Sequence, residues 1–547
     1  MDHQEVEWQF DAADLEPVEA WLRQHSSGSG LVVEPESDEE IADTYYDSDD
    51  WRFYRAGYAL RVRVEGGVAE ATMKSISPAT GNIRRRREIS EPLTSGDPSA
   101  LGRAGGPVGR RTRSLLGGHE LRPMFEVRTR RRTFAVLLEA PEPSEDGASG
   151  ERVRMGGVML DDTEVPLDGG REAAHLRRVE VEAGAGTAPT PALSGLVDEM
   201  QYALDLEPAP VSKFEAGLYA TGLSPRTATE TGPTEIAPAM SLGEVAFAVL
   251  RRQFAEMRAH EPGTRIGEDP EELHDMRVAT RRMRAAMKVF ENALPERAKW
   301  LREELRWLAH ALGDVRDLDV QRGRFEGWMA EAPNANDAEA LRKLLDGLEK
   351  RRGDARARML EALDSTRYGR LESSFAEMLR RGPGAERELA QAHGHQEAAR
   401  APVTSAAPAL ISARYRKWRK AAKRLDRTSL PEAFHDLRKR GKKLRYALEF
   451  VSEVYGKPVQ DLIKPLKSLQ DDLGDHQDAV VAADTLRDLG TEGDGRRVTR
   501  RAAFVLGIYH ERCSREAANL RSLVLGSKTF RSLIKGKGWK GFERAAR

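Results

Sequence analysis

The sequence predicts an α+β multidomain protein, strand-rich in its N-terminal part and all-α with an internal duplication in its C-terminal part. Three observations predict it. Through about residue 218, short segments alternate polar and apolar residues between Gly, Pro and Asp clusters, which is the pattern of strands. From Ser241 onward the apolar period becomes helical. One helical motif then occurs twice, at Leu273–Lys288 and at Phe434–Glu449.

Bulk composition bounds the function. The chain has 547 residues, enough for about three domains of ordinary size. Its 87 Lys plus Arg against 88 Asp plus Glu leave a net charge of −1. A general nucleic-acid binder is usually clearly basic; here positive charge is concentrated locally, which suits a discrete polyanion site. The single cysteine, Cys513, excludes an internal disulfide and a cysteine zinc cluster. Met1–Glu5 lacks the basic and apolar regions of a signal peptide, and no run of 18 apolar residues occurs. The expectation is a cytoplasmic protein with no membrane partner.

The expected boundaries are a strand-rich domain at 1–218, a Thr-, Pro- and Gly-rich linker at 219–240, and a helical domain at 241–547. Gly382-Pro383-Gly384 and the breaker that follows divide the last into halves at 241–395 and 403–530. The basic, Gly-containing end from Ser527 is expected to be only partly ordered.

In the N-terminal part, Glu5, Glu7 and Gln9 share one face of a strand, and Glu180 and Glu182 repeat the arrangement. Carboxylates side by side on a buried face repel unless a cation separates them. Between them come strands carrying Arg61 and Arg63, Lys74, Arg85 with Glu88, and Arg128 with Arg130. On one strand alone such charges simply face water. Together, acids on some strands and Arg or Lys on others make a site for a metal-bound polyanion. Carboxylates suit Mg²⁺ or Mn²⁺, and arginines clamp phosphate oxygens.

This constellation resembles the CYTH domain, the triphosphate tunnel family. The resemblance rests on Glu-Val-Glu at 5–7, Tyr-Tyr-Asp-Ser-Asp at 45–49, Leu-Arg-Val-Arg at 60–63 and Lys74. It continues through Arg85 and Glu88, Val-Glu-Val-Glu at 179–182 and Ser212-Lys213. It implies an eight-stranded antiparallel tunnel that hydrolyses a triphosphate-containing small molecule with a divalent metal. On that layout Glu5, Glu7, Glu88, Glu180 and Glu182 hold Mg²⁺ or Mn²⁺. Arg61, Arg63, Lys74, Arg85, Arg128, Arg130 and Lys213 grip the phosphates. The catalytic set is Glu5, Glu7, Lys74, Arg61 and Arg63. The chain departs from the family's Glu-x-Glu-x-Lys opening, with Gln9 where the Lys belongs; glutamine donates hydrogen bonds but brings no charge.

In the helical part, His274, Arg277, Arg281, Arg284 and Lys288 recur at spacings of 3, 4, 3 and 4. At about 100° per residue they share a single stripe beside an apolar one. His435, Arg438, Lys442 and Arg445 repeat the stripe at the same spacing, ending with Glu449 where the first copy has Lys288. Leu312-Gly313-Asp314 and Leu473-Gly474-Asp475 echo at the same offset (435 − 274 = 161; 474 − 313 = 161), which implies a duplicated unit. A basic stripe is most often a solvated helix face. Against that, the stripe is retained in both copies while intervening residues drift, as at Thr280 and Gly441. A metal role for the histidines lacks further spaced ligands.

These motifs resemble the CHAD domain, a helical module named for its histidines. The resemblance implies two similar bundles about a pseudo-twofold with a basic cavity between them, and inorganic polyphosphate as ligand. It also suggests a bacterial polyphosphate granule as the location. Nucleic acid is the rival ligand, disfavoured by few aromatics for base stacking. Two functions stay open: a polyphosphate-binding protein with a metal-dependent triphosphatase, or a non-catalytic polyphosphate-associated scaffold with a degenerate tunnel.

Overall fold

Eight antiparallel strands form because their sequences alternate between two chemically different faces. In the computed structural model, which describes residues 2–24, 30–77, 81–138, 152–167, 172–184, 190–225, 230–383, 393–491 and 499–545, the chain divides into units at 1–228 and 229–547. The first unit contains β1 (Asp2–Asp11), β2 (Leu31–Asp47), β3 (Tyr58–Glu65) and β4 (Val68–Ser75). It continues with β5 (Ile83–Leu93), β6 (Arg122–Leu138), β7 (Val153–Val165) and β8 (Ala174–Ala183). The order β5-β4-β3-β2-β6-β7-β8-β1, with β1 also pairing β5, closes the sheet on itself. A two-residue β9 (Glu207–Pro208) adds beside the end of β1.

The tunnel is apolar outside and charged inside. Trp8, Phe10, Phe134, Val136, Val158, Leu160, Val179 and Val181 point outward and are buried under α1 (Glu16–Gln24) and, further along the chain, the helix at Pro191–Leu204. Full burial of each such side chain contributes roughly 1.5–3 kcal/mol. Period-2 alternation then obliges the intervening residues, Glu5, Glu7, Gln9, Glu180 and Glu182 among them, to line the interior. The wall is completed by α2 (Arg52–Arg55), α3 (Pro98–Arg103) and α4 (Pro107–Leu116), with the Pro191–Leu204 helix as α5 and α6 at Lys213–Thr221. Thus the Gly- and Arg-rich stretch from Asp97 to Gly118 is helical. Asp97 caps α3, and Glu91 receives the free N–H groups of Gly106 and Gly109 at the start of α4.

The second unit is all-helical and duplicated. Its first half contains α7 (Leu242–Ile266), α8 (Pro270–Val289), α9 (Arg297–Ala330), α10 (Ala335–Asp364), α11 (Thr366–Arg381) and α12 (His393–Arg400). Its second half contains α13 (Val403–Ala422), α14 (Pro431–Glu449), α15 (Ser452–Tyr455), α16 (Lys457–Thr491), α17 (Arg500–Gly526), α18 (Lys528–Lys535) and α19 (Trp539–Ala545). Helix starts repeat the sequence offset: 403 − 242 = 161, 431 − 270 = 161 and 457 − 297 = 160. Both halves share one core, in which Met276 and Met283 of α8 and Leu437 and Leu444 of α14 are buried together.

The chain end differs from the expected partial order. Phe530, Leu533, Trp539 and Phe542 form an apolar face that is buried, and Trp539 stacks on Tyr415 at 3.9 Å. These four anchors hold α18 and α19 to the second half despite their basic composition. No helix among the described residues is long and apolar enough to cross a membrane.

Candidate functional sites: a charged tunnel and a basic hollow

The register of the closed sheet determines which charges meet. Glu5 lies opposite Arg86, Glu7 opposite Arg84 on one side and Glu182 on the other, and Gln9 opposite Glu180. The interior encloses about 930 Å³ not filled by protein atoms. Lys74 Nζ lies 2.5 Å from Glu5 and 3.3 Å from Glu88, and Arg86 pairs with Glu7. Asp43 accepts from Arg63 at 2.8 and 2.9 Å and lies 3.4 Å from Arg61. Across the tunnel Arg131 reaches Asp161 at 2.6 Å and Glu180 at 2.8 Å, and Lys213 pairs with both acids.

Burial opposes charge throughout, and the partners decide the outcome. Burial raises Glu180, but Lys213 and Arg131 outweigh it and hold the carboxyl well below its usual range. Burial likewise raises Glu88, but Lys74 and Arg61 hold it at about 2. Glu182 behaves oppositely. Burial pushes it up, the neighbouring Glu5 adds to the shift, and among the described residues no cation pairs with it. Glu5, Glu7 and Glu182 are thus neighbouring carboxylates on one part of the tunnel wall. As the side chains stand, Glu5 is closed on Lys74 and Glu7 on Arg86. Among the described residues no group of three or more His, Cys, Asp or Glu converges to hold a metal ion.

The tunnel brings together Glu5, Glu7, Arg61, Arg63, Lys74, Glu88, Glu180, Glu182 and Lys213. It does not include Arg85, Arg128 or Arg130, contrary to expectation. Arg85 is exposed; Arg128 pairs outside with Glu126 at 2.7 Å and Arg130 with Asp38 at 2.8 Å. The reason is parity: Arg85 and Glu88 are three apart and cannot share a strand face. The inward residues are Arg84, Arg86 and Arg131, with Asp43 and Asp161 as further acids. The signal was present, since counting back by twos from outward Ile89 or Phe134 gives this phase. Gln9 also lies inside, donating from Nε2 to Glu180 at 3.0 Å. Lys213 enters from the first turn of α6, whose N-cap Ser212 forms a capping box with Glu215.

In the helical unit, α8 and α14 cross so that their basic stripes converge. Arg281 donates to the Tyr446 hydroxyl at 2.9 Å, and Arg282 pairs with Glu449 at 2.8 Å. Burial and the charges of Arg281, Arg438, Arg445 and Arg277 bring Lys442 down to about 7. Among the described residues no carboxylate forms an ion pair with Arg281, Arg284, Arg438 or Lys442. The buried Nε atoms of Arg284, Arg438 and Arg445 have no hydrogen-bond partner. Arg277 lies against Gly313 and Arg438 against Gly474, so the repeated glycines make room for the guanidinium groups. Asp317 meets Arg277 at 3.4 Å.

Arg281, Arg284, Lys288 and Lys442 line an open hollow of about 2450 Å³ between the halves. Lys288 sits at its rim, paired with Glu291, and Arg445 shares Glu449 with Arg282. His274 and His435 stand at the start of the stripes, away from the lining of this hollow. Burial lowers both, with Arg316 adding to the effect at His274 and Lys439 at His435. Arg414, Lys417, Lys439, Arg440 and Lys443 join the lining. They lie off the repeated stripe, so the duplication could not single them out.

A closed antiparallel tunnel of charged residues, followed along the chain by a duplicated helical module, defines the class of protein. The chain carries a CYTH domain, matched over residues 15–188, followed by a CHAD domain, matched over residues 248–487. An uncharacterized protein of Mycobacterium tuberculosis strain CDC 1551 / Oshkosh is 33% identical over 223 residues, as is one of strain H37Rv. These matches span 39% of this chain and 39% of the length of each relative. The CHAD domain of the plant Ricinus communis has a similar structure, with 24% identity and a TM-score of 0.44 over 56% of this chain and 96% of that one. A Hippeastrum protein described as having a dominant triphosphatase activity shows 14% identity and a TM-score of 0.28 over 40% of this chain and 96% of its own.

Proposed function

We propose that this is a polyphosphate-binding protein whose tunnel domain is a divalent-metal-dependent triphosphatase. The observation that carries the first half is the convergence of α8 and α14 on Lys442. Cations from both halves crowd one place with no carboxylate paired to Arg281, Arg284, Arg438 or Lys442 among the described residues. Such a cluster is costly unless a polyanion joins it, and arginine forks match phosphate oxygens. Tyr446, the aromatic best placed for base stacking, is 3% exposed and spent on Arg281, which favours polyphosphate over single-stranded nucleic acid. Polyphosphate and single-stranded DNA compete for the full-length chain at equal charge concentration in the deciding measurement. Displacement of polyphosphate by DNA overturns the ranking.

For the tunnel, Glu5, Glu7 and Glu182 are the residues that would hold Mg²⁺ or Mn²⁺, with Glu88 and Glu180 beside them. The bound metal supplies Lewis-acid polarisation of a phosphoryl oxygen. Arg61, Arg63, Arg131 and Lys213 take the phosphate oxygens, exchanging their present carboxylate partners for the triphosphate. They would then neutralise charge that develops as water adds to the terminal phosphorus and the bond to the bridging oxygen breaks, releasing phosphate and the remaining diphosphate portion. Lys74 and Arg86, now closed on Glu5 and Glu7, become free to do the same when a metal takes those carboxylates.

Gln9 favours a second reading, a non-catalytic scaffold, because an uncharged donor stands where the family has a lysine. Phosphate release from tripolyphosphate, ATP and thiamine triphosphate with Mg²⁺ or Mn²⁺, by wild type and Gln9→Lys, separates the two. Release by wild type supports the enzyme; release only by the variant supports the scaffold. The proposed address is the polyphosphate granule.

A further inference from the structure

The two halves are not equivalent outside the shared stripes, and the difference is one of charge. On α13, Arg414, Lys417 and Lys420 recur every three residues, and Arg424 follows in the turn just past the helix end at Ala422, so they form a second basic stripe. Arg440, from the facing turn of α14, lies beside them. Arg414 and Lys417 line the hollow between the halves, and Lys417 and Arg440 also line a shallow groove with Lys420 and Arg424. The hollow and the groove share Lys417, Asp436 and Arg440, so one runs into the other. Asp436 is the only acid lining the groove and is paired to Arg440 at 2.6 Å. Lys417, Lys420 and Arg424 have no ion-pair partner among the described residues.

The duplication supplies an internal control. At the offset of 161, the sequence of α13 aligns with that of α7. Its buried Val403, Ala407, Ile411, Tyr415 and Trp418 correspond to buried Leu242, Ala246, Leu250, Phe254 and Met257. The apolar face is therefore retained. The basic positions are not: Arg414, Lys417, Lys420 and Arg424 correspond to Gln253, Glu256, Ala259 and Gly263, and Arg440 to Ala279. The basic groove thus belongs to the second half alone, while the apolar face is common to both.

We infer that the α13 groove is a one-sided extension of the polyanion site, which receives the part of a long polyphosphate chain that leaves the hollow. This rests on the polyphosphate reading above and adds a substrate class to it, long chains over short ones, and a direction of exit. Each cation along the groove adds one phosphate contact, with its share of counterion release.

The test uses the full chain and two probes, tripolyphosphate and long-chain polyphosphate of about a hundred units, titrated over a range of salt. The triple variant Lys417→Gln, Lys420→Gln, Arg424→Gln is compared with Lys528→Gln, Lys535→Gln, Lys540→Gln, which removes equal charge from exposed positions near the chain end. The expected result is a loss on the order of ten-fold or more in long-chain affinity for the first variant. Its slope of log affinity against log salt falls by about three. Tripolyphosphate affinity and the control variant stay near wild type. Equal losses for both probes, equal losses for both variants, or no loss overturn the inference while leaving the hollow as the site. Failure of wild type to bind either probe instead overturns the polyphosphate reading itself.

Discussion

Arg281 of the first helical half donates through Nε to the Tyr446 hydroxyl of the second at 2.9 Å. The bond ties the stripe of α8 to α14, and the Arg281 charge is felt at Lys442. Tyr446→Phe keeps the buried ring and removes one hydrogen bond. The expected cost is about 1 kcal/mol of unfolding free energy, read from urea titration. Polyphosphate affinity changes by a few-fold at most, because Arg281 keeps its charge. A loss of binding altogether would mean that the hydroxyl, and not the cation cluster, carries the site.

Lys442 makes binding depend on pH. In the native chain it is protonated only below about 7, against 10.5 for an ordinary lysine. Between those values the unfolded chain holds the extra proton, so this group makes stability rise with pH from about 7 toward 10.5. A bound polyanion draws the lysine back to its charged form. Binding therefore takes up a proton above pH 7, and affinity falls as pH rises. Calorimetry at pH 8 in two buffers of different ionisation heat measures the uptake. Lys442→Arg stays charged and abolishes it; an unchanged uptake in that variant assigns the proton elsewhere.

The parity of the tunnel strands separates inside from outside arginines. Arg128→Ala and Arg130→Ala break exposed, solvent-screened pairs and leave stability and phosphate release near wild type. Arg131→Ala and Arg63→Ala remove inward cations and are expected to lower kcat/KM at least about a hundred-fold, as loss of preorganised charge stabilisation does. Steady-state phosphate release on the four variants checks this. Equal effects of Arg128 and Arg131 would put the assigned faces in error.

Lys74 is the counter-charge for Glu5 and Glu88. Glu88 titrates at about 2 against a usual 4.5, so its stabilising effect is complete above 4.5 and is lost as pH falls from there through about 2. Lys74→Met removes the nearest cation from both carboxylates, leaving Arg61 for Glu88 and Arg86 at 3.9 Å for Glu5. Stability at pH 7 is expected to fall by a few kcal/mol, and the acid sensitivity between pH 4.5 and 2 flattens. Thermal melts at pH 7 and pH 3 measure both; a variant as acid-sensitive as wild type would separate Lys74 from Glu88.

Much of the site was legible before any coordinates. Glu5 shares a face with Glu7, and Glu180 with Glu182, because alternation on a strand leaves no other choice, and the equal offsets of His274/His435 and Gly313/Gly474 announced a duplication. Arg85, Arg128 and Arg130 were misassigned because runs such as Arg84–Arg87 and Arg130–Arg132 offer charges on both faces. Only the outward Ile89, Phe134 and Val136 set the phase. The helical character of α3 and α4 was hidden by glycine and arginine, whose helix ends depend on Asp97 and on Glu91 from a neighbouring strand.

By itself the sequence determined periodicity: which residues lie on one face of a strand, and which cations line one side of α8 and of α14. Only the tertiary structure decided what those faces meet, because pairing depends on contacts between residues far apart in the chain. Closure of β5 on β1 put Arg86 against Glu7, and the crossing of α8 with α14 brought Arg277 and Arg281 to Lys442. Local spacing carries no information about either.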